Sequence, residues 1–482
     1  MNYGIVLKLT GKLLLLEALV MVLPLGISLV YGQKDAVAFI ISIACTALFG
    51  FILSRFSNKK TQIKIRDSLA IVSLVWILYS LFGSLPFLFS GSINSLVDAF
   101  FETVSGFTTT GSTILTDIES LPKGILFWRS LTIWLGGMGI LVFTVAVFPA
   151  LGMGGYQIFK AESPGPTTEK IAPKIQDTAR ILYTTYFGIT LLEIILLLLG
   201  GMNLFDALIH SFGTVGTGGY SNRNLSIGAY NSTYINLVIA VFMVLSGINF
   251  SLYYSLFKGR WKDILQNSEL RLYLGIIAVS VILIAVDINQ HVFRNIFKSL
   301  EQSFFQVGSI ISTTGYSTVD FDKWSTFSKG ILFTLMFVGG CAGSTSGSIK
   351  NIRILVIFKM IGREFKKTIH PKAVVPIKVG TRTLPQDTVA SISSFVMLFI
   401  IIFVIGTLLV SLEGVDLVTA ATATAATLGN IGPGLGMVGP SCNFAFFSSG
   451  TKLILSALML LGRLELFTLI LLFSRRTWTD EV

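Results

Sequence analysis

Charged residues are scarce in this sequence, at 13% of 482 positions, whereas a typical soluble domain carries about 25%. Hydrophobic residues make up 52%, more apolar surface than a water-soluble fold of ordinary shape can bury. Several apolar stretches reach the roughly 18–20 residues that a helix needs to cross a bilayer. They do not alternate apolar with polar residues, as a transmembrane β-barrel would. The composition therefore predicts an all-α polytopic membrane protein.

Cysteine and histidine are equally rare, with three residues of each. The three cysteines are scattered, so they predict neither a disulfide framework nor a zinc site. An intramembrane enzyme would need a nucleophile with its base, or a metal cluster, at one depth in the membrane. The sequence gives no sign of either arrangement. We therefore expect a protein that is not an enzyme and that binds no cofactor.

Ten apolar segments are predicted to span the membrane, with boundaries soft by a few residues. The eighth segment is too long for one span and is interrupted by ten small or polar residues, Gly339–Ser348. The predicted spans are 10–30, 36–54, 68–90, 124–149, 181–201, 234–257, 272–287, 326–360, 388–411 and 451–474.

Lysine and arginine are distributed unevenly between the two faces that these spans define. One face carries 26 of them and the other carries 8. Because basic loops stay in the cytoplasm, the basic face and both termini are predicted to be cytoplasmic. The net charge of +11 would suggest nucleic acid on a soluble protein, but here it reflects orientation, so we expect no nucleic-acid partner. Membrane lipid remains an expected partner.

One pattern occurs four times on the predicted outer face. Each copy is a short, half-apolar helix candidate that ends in Thr and Gly, and each lies between two spans. The four final glycines, Gly111, Gly219, Gly315 and Gly432, are 108, 96 and 117 residues apart. Because all four copies share one face, we expect four parallel span–pore helix–span repeats around one pore, preceded by two additional N-terminal transmembrane helices.

The repeats predict how the chain is divided. The predicted units are 1–60 for the N-terminal helices, then 61–160, 161–262, 263–380 and 381–482 for pore repeats 1 to 4, with a broken second helix in repeat 3.

Four Thr/Gly loops at membrane depth favour an ion pathway. A cation that enters the bilayer must exchange hydration oxygens for others, and a ring of backbone carbonyls supplies them without fixed charge. Glycine permits the φ values that turn carbonyls inward, and the C-terminal end of each pore helix adds a partial negative charge. The predicted filter residues are Thr110, Gly111, Gly218, Gly219, Thr314, Gly315, Ile431 and Gly432.

The interruption at Gly339–Ser348 is predicted to be a gate. A helix cannot run through four glycines without cost, so we expect a broken helix whose intramembrane loop blocks the pore below the filter. Arg463 lies within the last predicted span, where an unpaired charge is costly. We expect it to donate to carbonyls of the loop or to repel cations. The predicted gate residues are Gly343, Ser344, Thr345, Ser346, Gly347 and Arg463.

Four further polar residues fall within or beside the predicted spans. Arg129 lies near the outer start of its span, where it is expected to snorkel to the membrane surface. Glu102 and His210 occupy matching places in pore helices 1 and 2 and are expected to fix these helices by hydrogen bonds. Glu193 is predicted to make a helix–helix contact, with the alternative that it is a carboxylate coupled to a second cation.

At these motifs the sequence resembles the bacterial Trk/Ktr/HKT superfamily of potassium transporters, over nearly the whole chain. Its two extra N-terminal spans resemble the TrkH branch of that superfamily, whereas the KtrB branch usually begins directly with the repeats. Asn430-Ile431 departs from the Thr-Thr of the strict filter pattern, and Gly218 replaces its second Thr. The resemblance is carried by Ser105–Thr113, Thr217–Ser221, Ser312–Ser317, Gly339–Gly347, Gly429–Gly434 and Gly462–Phe467.

The resemblance implies potassium uptake across the bacterial inner membrane, with K⁺ held at the filter residues and no other metal. It also implies a homodimer, with a pore in each protomer, that works with a cytosolic nucleotide-binding ring of the TrkA type. The alternative is a sodium- or proton-coupled potassium symporter of the KtrB kind. A receptor without transport would leave the fourfold loop unexplained.

Overall fold

The structure is a computed structural model that describes residues 2–56, 65–139, 175–380 and 382–473. Within these ranges the regular structure is helical except for one antiparallel pair of two-residue strands, Lys378–Val379 with Arg382–Thr383. The all-α class predicted from the sequence is therefore confirmed. The α-helices are Tyr3–Val20, Val22–Val30, Ala36–Ser54, Ile65–Gly83, Leu85–Phe89, Leu96–Phe107, Lys123–Gly137, Ile175–Leu199, Leu204–Val215, Thr233–Ser246, Phe250–Phe257, Trp261–Leu265, Ser268–Ile288, Ile296–Ile311, Thr326–Val338, Asn351–Ile369, Gln386–Ser411, Leu417–Leu428, Ser449–Arg463 and Phe467–Phe473.

Three short 3₁₀ helices and one π-helical turn connect these elements in the described chain. The 3₁₀ helices are Ser226–Tyr230, Phe321–Lys323 and Gly436–Val438, and the π-helical turn is Asn289–Phe293. Six helical stretches of the described chain are long and apolar enough to cross a bilayer. Large apolar side chains on them face outward, as expected of a surface that contacts lipid. The six stretches are Tyr3–Val30, Ala36–Ser54, Arg66–Phe89, Asp177–Leu199, Ser268–Phe293 and Gln386–Ser411.

The predicted span 234–257 is wrong as a continuous helix. The structure breaks it into Thr233–Ser246 and Phe250–Phe257, which meet at 96°. Gly247 ends the first helix, and the side chain of Asn249 accepts the backbone N–H of Ser251 (2.9 Å), so it caps the second. A glycine followed by an Asn cap is a signal for a helix end and a new start, and the surrounding apolar run concealed it.

The predicted span 451–474 is also interrupted. Its two helices, Ser449–Arg463 and Phe467–Phe473, are separated where Glu465 and Leu466 adopt positive φ values of 56° and 53°. A right-handed helix cannot pass through that conformation. The span 326–360 breaks between Val338 and Asn351, as its glycines predicted. The second half of the predicted span 124–149 lies outside the described residues.

Four helices of 12 to 16 residues are the predicted pore helices: Leu96–Phe107, Leu204–Val215, Ile296–Ile311 and Leu417–Leu428. A 12-residue helix is about 18 Å long, against about 30 Å of bilayer hydrocarbon. Each begins at a side chain that accepts a backbone N–H of the first turn, which fixes where the helix starts. These caps are Ser95, Asn203, Asn295 and Asp416.

Each of these short helices packs between two other helices in a cyclic order. One neighbour is the helix that follows it in the chain, and the other is the corresponding helix of the preceding copy. The order closes because Leu96–Phe107, in the first copy, packs against Ser449–Arg463, in the fourth. The packing therefore brings the C-terminal ends of the four short helices toward one axis. The unit boundaries at 60, 160, 262 and 380 remain a prediction.

Candidate functional site

The backbone after each pore helix has the same unusual conformation in all four copies. We call the final glycine of each copy its repeat glycine. The residue two positions before it lies in the left-handed region, with φ of 55° at Thr109, 55° at Thr217, 59° at Thr313 and 53° at Asn430. A β-branched threonine is rarely found there, and such strain is kept where the surrounding structure imposes it. The four glycines also have positive φ: 84° at Gly111, 63° at Gly219, 85° at Gly315 and 106° at Gly432.

One hydrogen bond repeats with this conformation. The residue before each repeat glycine donates its backbone N–H to the carbonyl five residues earlier, in the last turns of the pore helix. The bond folds the chain back over the helix end and satisfies a carbonyl that would otherwise lack a partner. The four bonds are Thr110 to Ser105 (2.8 Å), Gly218 to Gly213 (2.9 Å), Thr314 to Ser309 (2.9 Å) and Ile431 to Ala426 (2.8 Å).

The four loops meet in a closed ring. The α-carbon of each repeat glycine lies against the carbonyl oxygen that precedes the glycine of the next copy, so that any β-carbon there would meet that oxygen. The ring runs from Gly111 to the oxygen of Gly218, from Gly219 to that of Thr314, from Gly315 to that of Ile431, and from Gly432 to that of Thr110. The structure therefore brings together all eight predicted filter residues.

A cavity of about 380 Å³ lies beside this ring, and all four repeat glycines line it. Its walls come from segments that follow the glycines in each copy, including Ser112, Ser221 and Ser317. Ser112 closes one joint of the ring, because its hydroxyl donates to the carbonyl of Gly432 (2.9 Å). The ring of four loops thus lines this open cavity, which we call the vestibule.

Two tyrosines that are not among the predicted site residues join successive copies behind the ring. The hydroxyl of Tyr220 lies 2.8 Å from the carbonyl oxygen of Glu102 and 3.2 Å from that of Ser112. The hydroxyl of Tyr316 donates to the backbone carbonyl oxygens of His210 (3.2 Å) and Tyr220 (3.0 Å). The two sets of contacts are equivalent by repeat. A tyrosine directly after the repeat glycine in copies 2 and 3 was the available signal.

Arg129 does not snorkel to the membrane surface, contrary to the prediction. It is 2% exposed and pairs with Glu102, with 2.7 Å between Nε and Oε1. It also donates to the carbonyl of Ser221 (2.9 Å) and lies over the ring of Tyr220. Glu102 in turn accepts the backbone N–H of Ile114 (3.0 Å). The Arg129–Glu102 pair therefore fixes the chain before and after the first filter loop, which contains Thr109, Thr110 and Gly111.

Replacing Arg129 with Met is expected to destabilise the protein by about 3–5 kcal/mol, because it leaves a buried carboxylate without its countercharge. Thermal unfolding of the detergent-solubilised protein measures the effect. The control is Lys323→Met, which removes an ion pair whose lysine is 82% exposed and is worth about 0–1 kcal/mol. Equal melting temperatures for the two variants would contradict a structural role for Arg129.

The predicted gating loop lies against the other side of the filter loops. The hydroxyl of Thr345 lies 3.1 Å from the carbonyl oxygen of Val215 and 3.2 Å from that of Ser246. The backbone N–H of Gly347 donates to the hydroxyl of Thr313 (2.8 Å). A β-carbon on Gly347 would overlap a carbonyl of the fourth copy, that of Gly429. The loop thus contacts the pore-helix ends of copies 2, 3 and 4.

The remaining residues of the loop hold its shape and attach it to the bend in copy 2. Gly343, at φ 76°, accepts the backbone N–H of Phe250 (3.0 Å) through its carbonyl. Ser344 donates its hydroxyl to the carbonyl of Cys341 (2.6 Å). The carbonyl of Ser346 accepts the ammonium of Lys350.

Arg463 connects the last long helix to three other elements. Its guanidinium donates to the carbonyl of Thr345 in the loop (2.9 Å) and to the hydroxyl of Thr109 in filter loop 1 (3.2 Å). It also donates to the carbonyls of Gly137 (2.8 Å) and Gly136, at the end of the helix Lys123–Gly137. Arg463 therefore bridges the filter and the loop.

The other predicted polar residues lie behind the ring. His210 is fully buried between the carbonyl of Asp206 (2.7 Å from Nδ1) and the hydroxyl of Ser221 (3.1 Å from Nε2), which holds pore helix 2 to its loop. Glu193 is buried, and its carboxylate oxygens have no hydrogen-bond partner among the described residues. Within the same ranges, no three His, Cys, Asp or Glu residues are grouped to hold a metal ion.

Apolar helices of bilayer length, around a site made of backbone carbonyls and hydroxyls, define a polytopic helical membrane protein with an ion-transport architecture. Residues 34–480 match the TrkH family model, which is described as a cation transport protein. The chain therefore belongs to the TrkH family, whose members are transporters and not enzymes. The resemblance found in its motifs is confirmed.

Individual relatives agree with the family match over their full length. The chain is 39% identical to the Trk system potassium uptake protein TrkH of Salmonella typhimurium, with 100% of both chains covered. It is equally similar to the protein of that name from Escherichia coli K12. The crystal structure of the potassium transporter TrkH from Vibrio parahaemolyticus is 36% identical, covers 99% of this chain and 100% of its own, and superposes with a TM-score of 0.89.

Proposed function

We propose that this protein takes up potassium through the ring of four filter loops. The observation that carries the proposal is the closed contact of each repeat glycine with the carbonyl that precedes the next. It is supported by the relatives of 39% identity, which are potassium uptake proteins by name. Potassium bound at this ring is cargo, and the proposal includes no other metal or cofactor.

The ring selects by replacing water. Carbonyl oxygens of Thr110, Gly218, Thr314 and Ile431, with those of the four glycines, take the place of the hydration shell as an ion leaves the vestibule. The pore helices point their C-terminal ends at this place, so their dipoles favour a cation there. Inward movement of one potassium ion gains about 2.3 kcal/mol per 100 mV of membrane potential.

The loop Gly339–Ser348 is the proposed gate. It contacts the helix ends of three copies on the side of the filter opposite the vestibule, and Arg463 bonds to it. In this state the loop and the guanidinium obstruct the way out of the filter. Opening requires the loop to leave the contacts of Thr345 and Gly347 while the filter loops stay in place.

The family and the charge asymmetry support the assembly and orientation that we propose. We place the protein in the bacterial inner membrane with both termini cytoplasmic, since 26 of 36 Lys and Arg fall on that predicted face. A homodimer with one pore per protomer, working with a cytosolic nucleotide-binding ring of the TrkA type, is part of the proposal. Cross-linking in membranes and co-purification with that ring test these two points.

Reconstituted protein is expected to carry radiolabelled rubidium, with current that reverses at the potassium equilibrium potential. The channel-like mechanism predicts that this potential does not move with pH or sodium, because no second ion is coupled. The symport alternative would use Glu193, whose carboxylate is buried. Proteoliposomes with Glu193→Gln are the control, and a reversal potential that shifts with sodium or pH only in the parent would establish symport.

A further inference from the structure

Glu269 lies outside the filter and outside the loop, yet it contacts both the loop and the helix that follows it. It sits in the first turn of the helix Ser268–Ile288, which Asn267 caps through the backbone N–H of Leu270 (2.9 Å). Its side chain is buried, at 7% exposure. One carboxylate oxygen, Oε1, accepts the backbone N–H of Ala342 (2.7 Å) and that of Ile352 (3.0 Å). These two donors are ten residues apart and enclose the residues that contact the filter.

The helix that leaves the loop needs this acceptor. Asn351–Ile369 begins after Lys350, which occupies the cap position with φ 78° and makes no side-chain cap bond. A lysine side chain has no acceptor, so it cannot satisfy the first N–H groups of the helix as Ser, Asp or Asn would. Glu269 supplies the missing acceptor from another helix. Its negative charge at that N-terminus is also favoured by the helix dipole.

The other donor to Glu269, the backbone N–H of Ala342, belongs to the loop itself. Ala342 follows Cys341, whose backbone N–H is held by the carbonyl of Gly247 at the bend in copy 2 (2.8 Å). The carboxylate therefore ties the start of the loop, the start of the next helix and the first span of the same copy to one oxygen. Hydrogen bonds to a charged acceptor are roughly twice as strong as neutral ones. A loop tied in this way to the helix that follows it is kept against the filter.

We propose that Glu269 is the positioning residue of the gate, which fixes the loop Gly339–Ser348 in its obstructing conformation. This inference rests on the proposed gating role of the loop. Glu269 acts through the backbone of Ala342 and Ile352 and does not itself contact the filter residues. Loss of its two acceptor bonds releases Ala342 and the start of the following helix from the carboxylate, while the filter ring keeps all of its own contacts.

The test combines transport with the accessibility of Cys341, which lies in the loop and is 1% exposed. In Glu269→Leu, rubidium leak without a regulator and labelling of Cys341 by a small thiol reagent are each expected to rise by at least about tenfold. Labelling is read peptide by peptide by mass spectrometry, so that exposed Cys442, which lies between helices, serves as an internal reference. Glu269→Gln keeps an acceptor oxygen and is expected to restore most of the parental behaviour in both measurements.

The matched control is Glu364→Leu, the same change at an exposed glutamate on the helix Asn351–Ile369. Parental labelling and leak in folded Glu269→Leu would overturn the inference, as would a Gln variant identical to Leu. Increased labelling with unchanged flux would support Glu269 as the residue that positions the loop, and it would overturn the gating role of the loop. If the Leu variant does not fold, Glu269→Asp is used, because its shorter side chain cannot reach both donors, and parental labelling there overturns the inference.

Discussion

Gly315→Ser is expected to lower rubidium uptake by at least about tenfold and to remove the preference for potassium over sodium. Gly315 has φ 85°, which a serine adopts only with strain of about 1–3 kcal/mol. Its β-carbon would overlap the carbonyl oxygen of Ile431 and lie 2.8 Å from Cδ of Pro433. Both groups belong to the fourth filter loop, so the substitution displaces a neighbouring quarter of the ring as well as its own.

Uptake of rubidium and of sodium into proteoliposomes measures the change in Gly315→Ser. The control is Gly330→Ser in the same copy, where a β-carbon meets nothing within 4 Å. Both variants must melt near the parental temperature for the comparison to hold. Equal rubidium rates and unchanged sodium exclusion in Gly315→Ser would contradict the filter assignment.

The sequence could predict which residues meet in the ring, because the chemistry proposed for them is that of the backbone. Glycine at a fixed place after a short helix is visible in the sequence, and its four occurrences defined the ring. The left-handed threonines Thr109, Thr217 and Thr313 could not be predicted, because intrinsic preference disfavours threonine there. Their conformation is imposed by hydrogen bonds to the pore-helix ends, which exist only in the folded protein.

The departure of the fourth copy from the Thr-Thr pattern also has a physical reason. Asn430 occupies the left-handed position, which asparagine tolerates better than threonine, and its amide donates to the hydroxyl of Thr110 and to the carbonyl of Met459 (both 2.9 Å). Ile431 contributes its carbonyl to the ring, while its side chain is buried in an apolar cluster. The asymmetry therefore lies in the side chains and leaves the four-part backbone ring intact.

The helix breaks were harder to predict than the filter. Hydropathy shows whether a segment is apolar but not the direction in which it runs, so it predicts a continuous span across the 96° bend after Ser246. The break at Glu465 depends on long-range contacts, since Glu465 pairs with Arg353, more than one hundred residues away. The burial of Arg129 depends in the same way on Glu102, in a different helix.

Arg463→Ala is expected to raise the flux of rubidium through the unregulated protein by at least about tenfold. The substitution removes the bond from the guanidinium to the carbonyl of Thr345, and with it the link from the loop to Gly136 and Gly137. It also removes a positive charge beside the pathway, and two unit charges 4 Å apart repel by about 4 kcal/mol at the effective dielectric near a protein surface. Both losses favour conduction. Arg271→Ala, at an exposed arginine, is the control.

Arg463→Lys separates the two effects. A lysine keeps the charge but lacks the planar guanidinium group, whose several N–H donors contact the loop and the helix end at the same time. If charge repulsion closes the pathway, flux through the lysine variant stays near the parental value. If the bridge to Thr345 closes it, the lysine variant conducts nearly as well as the alanine variant. Parental flux in both variants, with parental melting temperatures, would show that Arg463 only stabilises the fold and that the loop is held closed by other contacts.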